Sequence, residues 1–123
     1  MSNKIFRDVY ELKVHLDKLG YQVYVTSGGF DPLHVGHLRC IQESSEISAR
    51  GRKIHNDWRP GVLVVIVNGD GFLHRKKGYQ FMSVEERMEI IAGLEGVDYV
   101  VDWDDGSQTV SGALEILCPD FFL

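Results

Sequence analysis

The 123-residue chain, 44% hydrophobic and 25% charged, is long enough for one buried core and too short for two. A formal net charge of −5 argues against a broad basic face and nonspecific nucleic-acid binding, while leaving room for a small basic pocket. Cys40 and Cys118 are too few and too far apart for a disulfide framework or a zinc site, and their apolar neighbours predict buried, reduced thiols.

In chain order, apolar residues at Phe6, Val9, Leu12, Leu16 and Leu19 fall at helical spacing, and Gly20 is a natural stop, so a first helix is expected over 6–19. His15 on that helix is expected at the surface. Tyr21–Thr26 alternates in a β-prone composition and predicts the first strand, broken by Gly28-Gly29. A second helix is expected from about His34 to about Ser48, with Leu38, Ile41 and Ile47 facing inward. Ala49–Gly61 is polar and irregular and predicts a long loop, with His55, Trp58 and several basic residues on it. Val62–Val67 is a continuous aliphatic run, the pattern of a parallel strand covered on both faces. Asn68–Gln80 is expected as the following loop, carrying the basic run His74-Arg75-Lys76-Lys77. Ser83 with Glu86 is a capping-box signature for a helix to Leu94. Tyr99–Val101 predicts a short strand, Asp102, Asp104 and Asp105 its end and the cap of the next helix over 109–117, and Asp120–Leu123 a last strand. No apolar run approaches the length of a membrane span, and the N-terminus lacks a signal-peptide core, so the expected location is the cytoplasm.

Alternating strands and helices predict a single α/β domain with an open parallel sheet and helices on both faces. Ligands bind such sheets beyond the carboxyl ends of the strands, where strand order reverses. The segment Ser27-Gly28-Gly29-Phe30-Asp31-Pro32-Leu33-His34-Val35-Gly36-His37 is expected there. Two glycines after a strand let backbone approach a ligand closely. His34 and His37, three residues apart at a helix start, share one face of the first turn. The free N–H groups of that turn favour an anion. Gly36 removes a side chain that would crowd a phosphate. A His-x-x-His pair is also a metal-binding pattern, but no third ligand with suitable spacing accompanies it.

The stretch Gly29–His37 resembles the nucleotide-binding signature of the cytidylyltransferase-like nucleotidyltransferase superfamily. Val67-Asn68-Gly69-Asp70, Lys77-Gly78, Glu86-Arg87-Met88, Leu94–Val101 and Pro119-Asp120 then follow one another much as in bacterial heptose 1-phosphate adenylyltransferases, with glycerol-3-phosphate cytidylyltransferases a close second. The resemblance implies a Rossmann-like fold and transfer of a nucleoside monophosphate from ATP or CTP to a sugar or polyol phosphate, with pyrophosphate leaving. By the same resemblance His34, His37 and a lysine would stabilise the triphosphate. Lys77 aligns best, and Lys76 is the neighbouring candidate. Gly28, Gly29, Phe30 and Gly36 would line the nucleotide, and Arg87 would reach a phosphate or else form a surface ion pair. Asp31 and Asp70 would orient the acceptor. Mg²⁺ would arrive with the triphosphate, and a homodimer is expected on analogy. Members of the superfamily continue with a Lys-Gly-Gly-Asp-like stretch and a Gly-Ile-Ser-Thr/Ser segment, which this chain lacks. The expected fold is therefore C-terminally truncated, and a nucleotide-binding module without catalysis is the alternative reading.

Overall fold

A computed structural model describes residues 3–54 and 57–123, with the side chains of residues 52–58 outside that description. Five parallel strands form one open sheet: β1 (Ile5–Phe6), β2 (Gln22–Gly28), β5 (Gly61–Asn68), β6 (Tyr99–Trp103) and β7 (Phe121–Phe122), in the order β1-β6-β5-β2-β7. Five helices accompany them: α1 (Val9–Leu19), α2 (Val35–Arg50), α3 (Asp70–Lys77), α4 (Val84–Ala92) and α5 (Ser111–Leu117). This is the open parallel α/β sheet that the alternating pattern predicts, Rossmann-like as the resemblance implies. From β2 the chain steps one way to β5 and β6, then returns to the other side of β2 as β7. Strand order thus reverses at β2, and the loop after that strand lies at the switch point.

The aliphatic run of β5 shows why both faces are covered. Side chains on a strand alternate between faces. Leu63, Val65 and Val67 join Ile41 of α2 and Met88 and Ile91 of α4 in one core cluster. Val62, Val64 and Ile66 join Leu12 and Leu16 of α1 and Ala113 and Leu117 of α5 in the other. No helix among the described residues is long and apolar enough to cross a membrane.

Several local expectations are corrected. Phe6 lies in β1, paired with Val101, and not on the first helix. Asp8 adopts an extended conformation and accepts a hydrogen bond from the Tyr10 amide, so the helix starts at Val9. Gly20 ends it in the left-handed conformation, at φ 69°, as its position predicts. His15 is half-buried, its Nε2 2.9 Å from the Tyr99 hydroxyl. Ile41 faces inward, but Ile47 is exposed, because α2 presents Ser44 and Ser48 to the interior there. Both cysteines are free and exposed rather than buried.

The Ala49–Gly61 segment is not one long loop. It contains the end of α2 and an antiparallel pair, β3 (Arg52–Ile54) with β4 (Asp57–Arg59). His55 and the Trp58 side chain lie outside the described residues. The 68–80 stretch is likewise largely helical. The α3 helix buries Phe72 and Leu73, and Arg75 binds Asp104 and the Ser107 carbonyl, which fixes a helix too short to be stable alone. That contact also accounts for Asp104. The N-cap of α5 is Val110, with no side-chain cap, while Asp105 closes a turn onto Ser107.

Candidate active site

The site begins in the turn between β2 and α2. Phe30 takes a left-handed backbone conformation, φ 53°, rare for a residue with a side chain. Its ring is buried, edge-on to the His37 ring at 5.3 Å between centroids. A Cβ on Gly28 would lie 2.9 Å from the Phe30 ring, and one on Gly29 would lie 2.9 Å from Leu73 Cδ2. The double glycine thus makes room for the Phe30 ring and the Leu73 side chain, beyond any approach of a ligand. Gly36 is explained in the same way. A Cβ there would stand 2.9 Å from His34 Cε1, so the residue makes room for the His34 ring.

The two histidines form a reciprocal cap on α2. His34 is the N-cap, and its Nδ1 accepts from the Gly36 amide at 3.1 Å. His37 Nδ1 accepts from the His34 amide at 3.2 Å. The rings stack with centroids 3.8 Å apart and 27° between planes. An Nδ1 that accepts carries no proton, so each neutral ring must hold its hydrogen on Nε2. The sequence therefore supplies two N–H donors side by side, oriented by backbone at a helix start.

The His37 imidazole is held below its ordinary range, chiefly because burial disfavours the charged ring and secondly because His34 stands beside it. The folded chain therefore binds this proton less readily than the unfolded chain, where the group titrates near 6.5. The stabilisation contributed by the neutral ring is complete above that pH and is lost as pH falls through the lower folded value. An NMR titration of His37 Cε1–H is expected to give a midpoint below 6.5. A midpoint at or above the ordinary value would contradict the arrangement.

Around this pair the structure gathers Gly29, Phe30, Asp31, Lys76 and Lys77, which with Leu73 line a cavity of about 380 Å³. Lys76 is exposed and forms no ion pair among the described residues, so its ammonium is available to a ligand. Lys77 is held: Nζ donates to the Asp31 carbonyl at 2.6 Å, lies 3.3 Å from the Asp31 carboxylate, and sits 4.9 Å from the Tyr79 ring centroid.

Asp31 differs from expectation. Its two carboxylate oxygens accept from the Phe81 and Met82 amides at 2.7 and 2.8 Å. Burial pushes its carboxyl up, but those amides and Lys77 together outweigh it and hold the group below the usual range. Asp31 thus fastens the connection between α3 and α4, its carboxylate fully buried against these partners.

Arg87 is corrected more sharply. In place of a surface ion pair or a side chain reaching out to a phosphate, it is 1% exposed and turned inward. It donates to the carbonyls of Gly29 at 2.7 Å, Asn68 at 2.6 Å and Met82 at 3.1 Å, and to Asp70 Oδ1 at 2.7 Å. One guanidinium thereby ties the turn after β2, the end of β5, the start of α3 and the segment leading into α4. Asp70 is its partner, and neither residue lines the cavity. Gly28 and Gly36 stand behind the lining. Pro32 and Leu73 line the cavity without having been expected there, Leu73 because the Asn-Gly-Asp-Gly signal marks a turn and hides the helix that follows.

Comparison with known proteins adds to this geometry. A family model described as cytidylyltransferase-like matches residues 25–122. The chain is 34% identical over 120 residues to the bifunctional protein HldE of Hahella chejuensis, covering 94% of the chain and 22% of that protein. It is 31% identical over 122 residues to the protein of the same name from Nitratiruptor sp., covering 98% and 23%. It is 37% identical over 106 residues to that of Citrifermentans bemidjiense, covering 85% and 19%. The chain thus spans about a fifth of the length of these relatives. Among solved structures, a lipopolysaccharide core biosynthesis protein from Thermoplasma volcanium GSS1 superposes with a TM-score of 0.66 at 23% identity, over 84% of this chain and 73% of that one, and shares the fold.

Proposed function

Since the chain belongs to the cytidylyltransferase-like family, we propose that it is a nucleotidyltransferase domain acting on a nucleoside triphosphate, ATP by preference, and a sugar phosphate such as heptose 1-phosphate. The observation that carries this reading is the stacked histidine pair, with neither Nε2 taken by a partner among the described residues, on one cavity with Lys76 and Lys77. The preference for adenylyl over cytidylyl transfer rests on the resemblance of the blocks from Asn68 to Val101.

In the proposed reaction an oxygen of the acceptor phosphate attacks the α-phosphorus. A new P–O bond forms, the bond to the bridging oxygen of the β-phosphate breaks, and pyrophosphate leaves with the electron pair. The attacking oxygen is already anionic near neutral pH, so no strong general base is required. The protein's task is alignment and charge stabilisation. The Nε2–H groups of His34 and His37 donate to the α-phosphate oxygens as charge shifts toward the leaving group. Lys76 binds the phosphates, and Lys77 joins it by exchanging the Asp31 carboxylate for phosphate oxygens. Arg87, Asp70 and Asp31 hold the loops in register.

Mg²⁺ fits as a companion of the substrate. No group of three His, Cys, Asp or Glu side chains among the described residues forms a cage for it, so phosphate oxygens and water would be its ligands. When bound, the ion neutralises phosphate charge. A homodimer and a cytoplasmic location complete the proposal. The apolar Tyr10 and Val14, exposed one turn apart on α1, support the first.

The test is pyrophosphate release, with ATP and CTP assayed against heptose 1-phosphate and glycerol 3-phosphate. Turnover with ATP and heptose 1-phosphate supports the reading. Binding of ATP without turnover on any acceptor would reduce the domain to a nucleotide-binding module, and absence of both would overturn it. Lys76→Ala is expected to raise the KM for ATP about tenfold, the equivalent of one charge-assisted hydrogen bond, with kcat much less affected. Steady-state kinetics checks this, and an unchanged KM would remove Lys76 from the phosphate site.

A further inference from the structure

We propose that Tyr79 and Phe81 are positioning residues, whose ring faces hold the Lys77 ammonium at the cavity while it changes partners between Asp31 and a phosphate. The assignment rests on the nucleotidyl-transfer reading and adds to it how that lysine is kept in place. Lys77 Nζ lies 4.9 Å from the Tyr79 ring centroid and 5.5 Å from that of Phe81. Both distances fall within the roughly 6 Å over which the negative face of an aromatic ring attracts an ammonium. The two rings meet edge-on, with centroids 5.2 Å apart and 77° between planes, and so stand as two walls beside the charge.

The local chain explains how this corner arises. Gly78 ends α3 in the left-handed conformation, φ 83°, and the residues after it return to the lysine they follow. Asp31 Oδ2 accepts from the Phe81 amide at 2.7 Å and lies 3.3 Å from Lys77 Nζ, so one carboxylate fixes both the ammonium and the segment that carries its wall. The rings are 49% and 66% exposed, and among the described residues neither belongs to a core cluster. Packing of the fold does not account for two large aromatic side chains here, whereas the neighbouring ammonium does.

The role follows from a difference between two kinds of contact. A hydrogen bond to Asp31 is directional and must break when a phosphate oxygen replaces it. The attraction between a charge and a ring face tolerates rotation of the ammonium, so the rings keep the charge at the cavity through the exchange. Lys76 has no such walls among the described residues, and only Lys77 is held in place before a phosphate arrives.

Two measurements on the full chain test this. In ¹H–¹³C NMR spectra the Lys77 ε-methylene is expected upfield of that of Lys76, through the ring currents of its walls; equal shifts would overturn the corner. Calorimetric titration with ATP then compares ring variants. Phe81→Leu and Tyr79→Leu are each expected to weaken binding about two- to fivefold, and Phe81→Tyr to keep the parent affinity. A trifluorinated phenylalanine at position 81 separates charge from shape, because it keeps the ring and removes its negative face. It is expected to weaken ATP binding as Phe81→Leu does, and parent affinity would overturn the proposal even if a leucine variant folds poorly. ATP binding that responds to Lys76→Ala but to neither ring would strike the proposal alone. A parent chain that binds no ATP would strike the nucleotidyl-transfer reading and the proposal with it.

Discussion

His37→Ala is expected to lower kcat by about 10²- to 10³-fold, the usual cost of deleting one preorganised donor at developing charge. The loss has two parts. The Nε2–H is removed, and the His34 amide loses its acceptor, so the remaining ring is freed from its stack. His34→Ala should match it in activity and add a stability loss of about 1 kcal/mol, because His34 is also the N-cap of α2. His37→Gln, which restores an amide donor, should recover part of the rate. Pyrophosphate-coupled kinetics alongside circular dichroism separates the terms. An alanine variant that is folded and turns over at the parent rate would remove the pair from the chemistry.

Arg87→Met is expected to cost about 3–5 kcal/mol of stability, the range for removing one partner of a buried charge network. Three carbonyls, of Gly29, Asn68 and Met82, lose their donor, and Asp70 loses its counter-charge. For a domain of this size the fall in Tm should exceed about 10 °C in thermal unfolding. Arg87→Lys keeps the charge but cannot span four acceptors from one planar fork, so it should recover only a minor part. If Arg87 instead served as a phosphate ligand, the methionine variant would melt near the parent temperature and fail only in KM. That outcome would refute the bracket.

The residues that were readable in advance share a property: their signal is local. The β2 and β5 strands, the cap of α4 at Ser83 and the stop at Gly20 follow from composition and spacing within a few residues. His34 and His37 were also legible, since a strand, a glycine turn and a helix start fix where they fall, whereas Lys76 and Lys77 on the same cavity were read from the family resemblance and from their place after the aliphatic strand. What escaped depends on partners far along the chain. Asp31 reads as an acceptor-orienting carboxylate until the amides of Phe81 and Met82, some fifty positions away, are seen to occupy it. Arg87 reads as a phosphate ligand or a surface ion pair until Gly29, Asn68 and Asp70, far back in the chain, are seen to surround it with the nearby Met82 carbonyl. Phe6 reads as helical because its spacing fits, yet pairing with Val101 outweighs that weak preference. The α3 helix, whose sequence resembles a turn followed by a solvated basic run, is made by burial of Phe72 and Leu73 and by Arg75 reaching Asp104.

The α3 helix stands between the cavity of the histidine pair and another of about 320 Å³ on its Phe72 side, which bears on any redesign of this domain. Its first turn is pinned through Asp70 to Arg87, and its last through Arg75 to Asp104 and Ser107. Pushing such a partition outward to enlarge one chamber would shrink the other and pull on both moorings. Widening the substrate range is better attempted by trimming the side chains that face each chamber, Leu73 on one side and Phe72 on the other, than by grafting a longer or displaced segment.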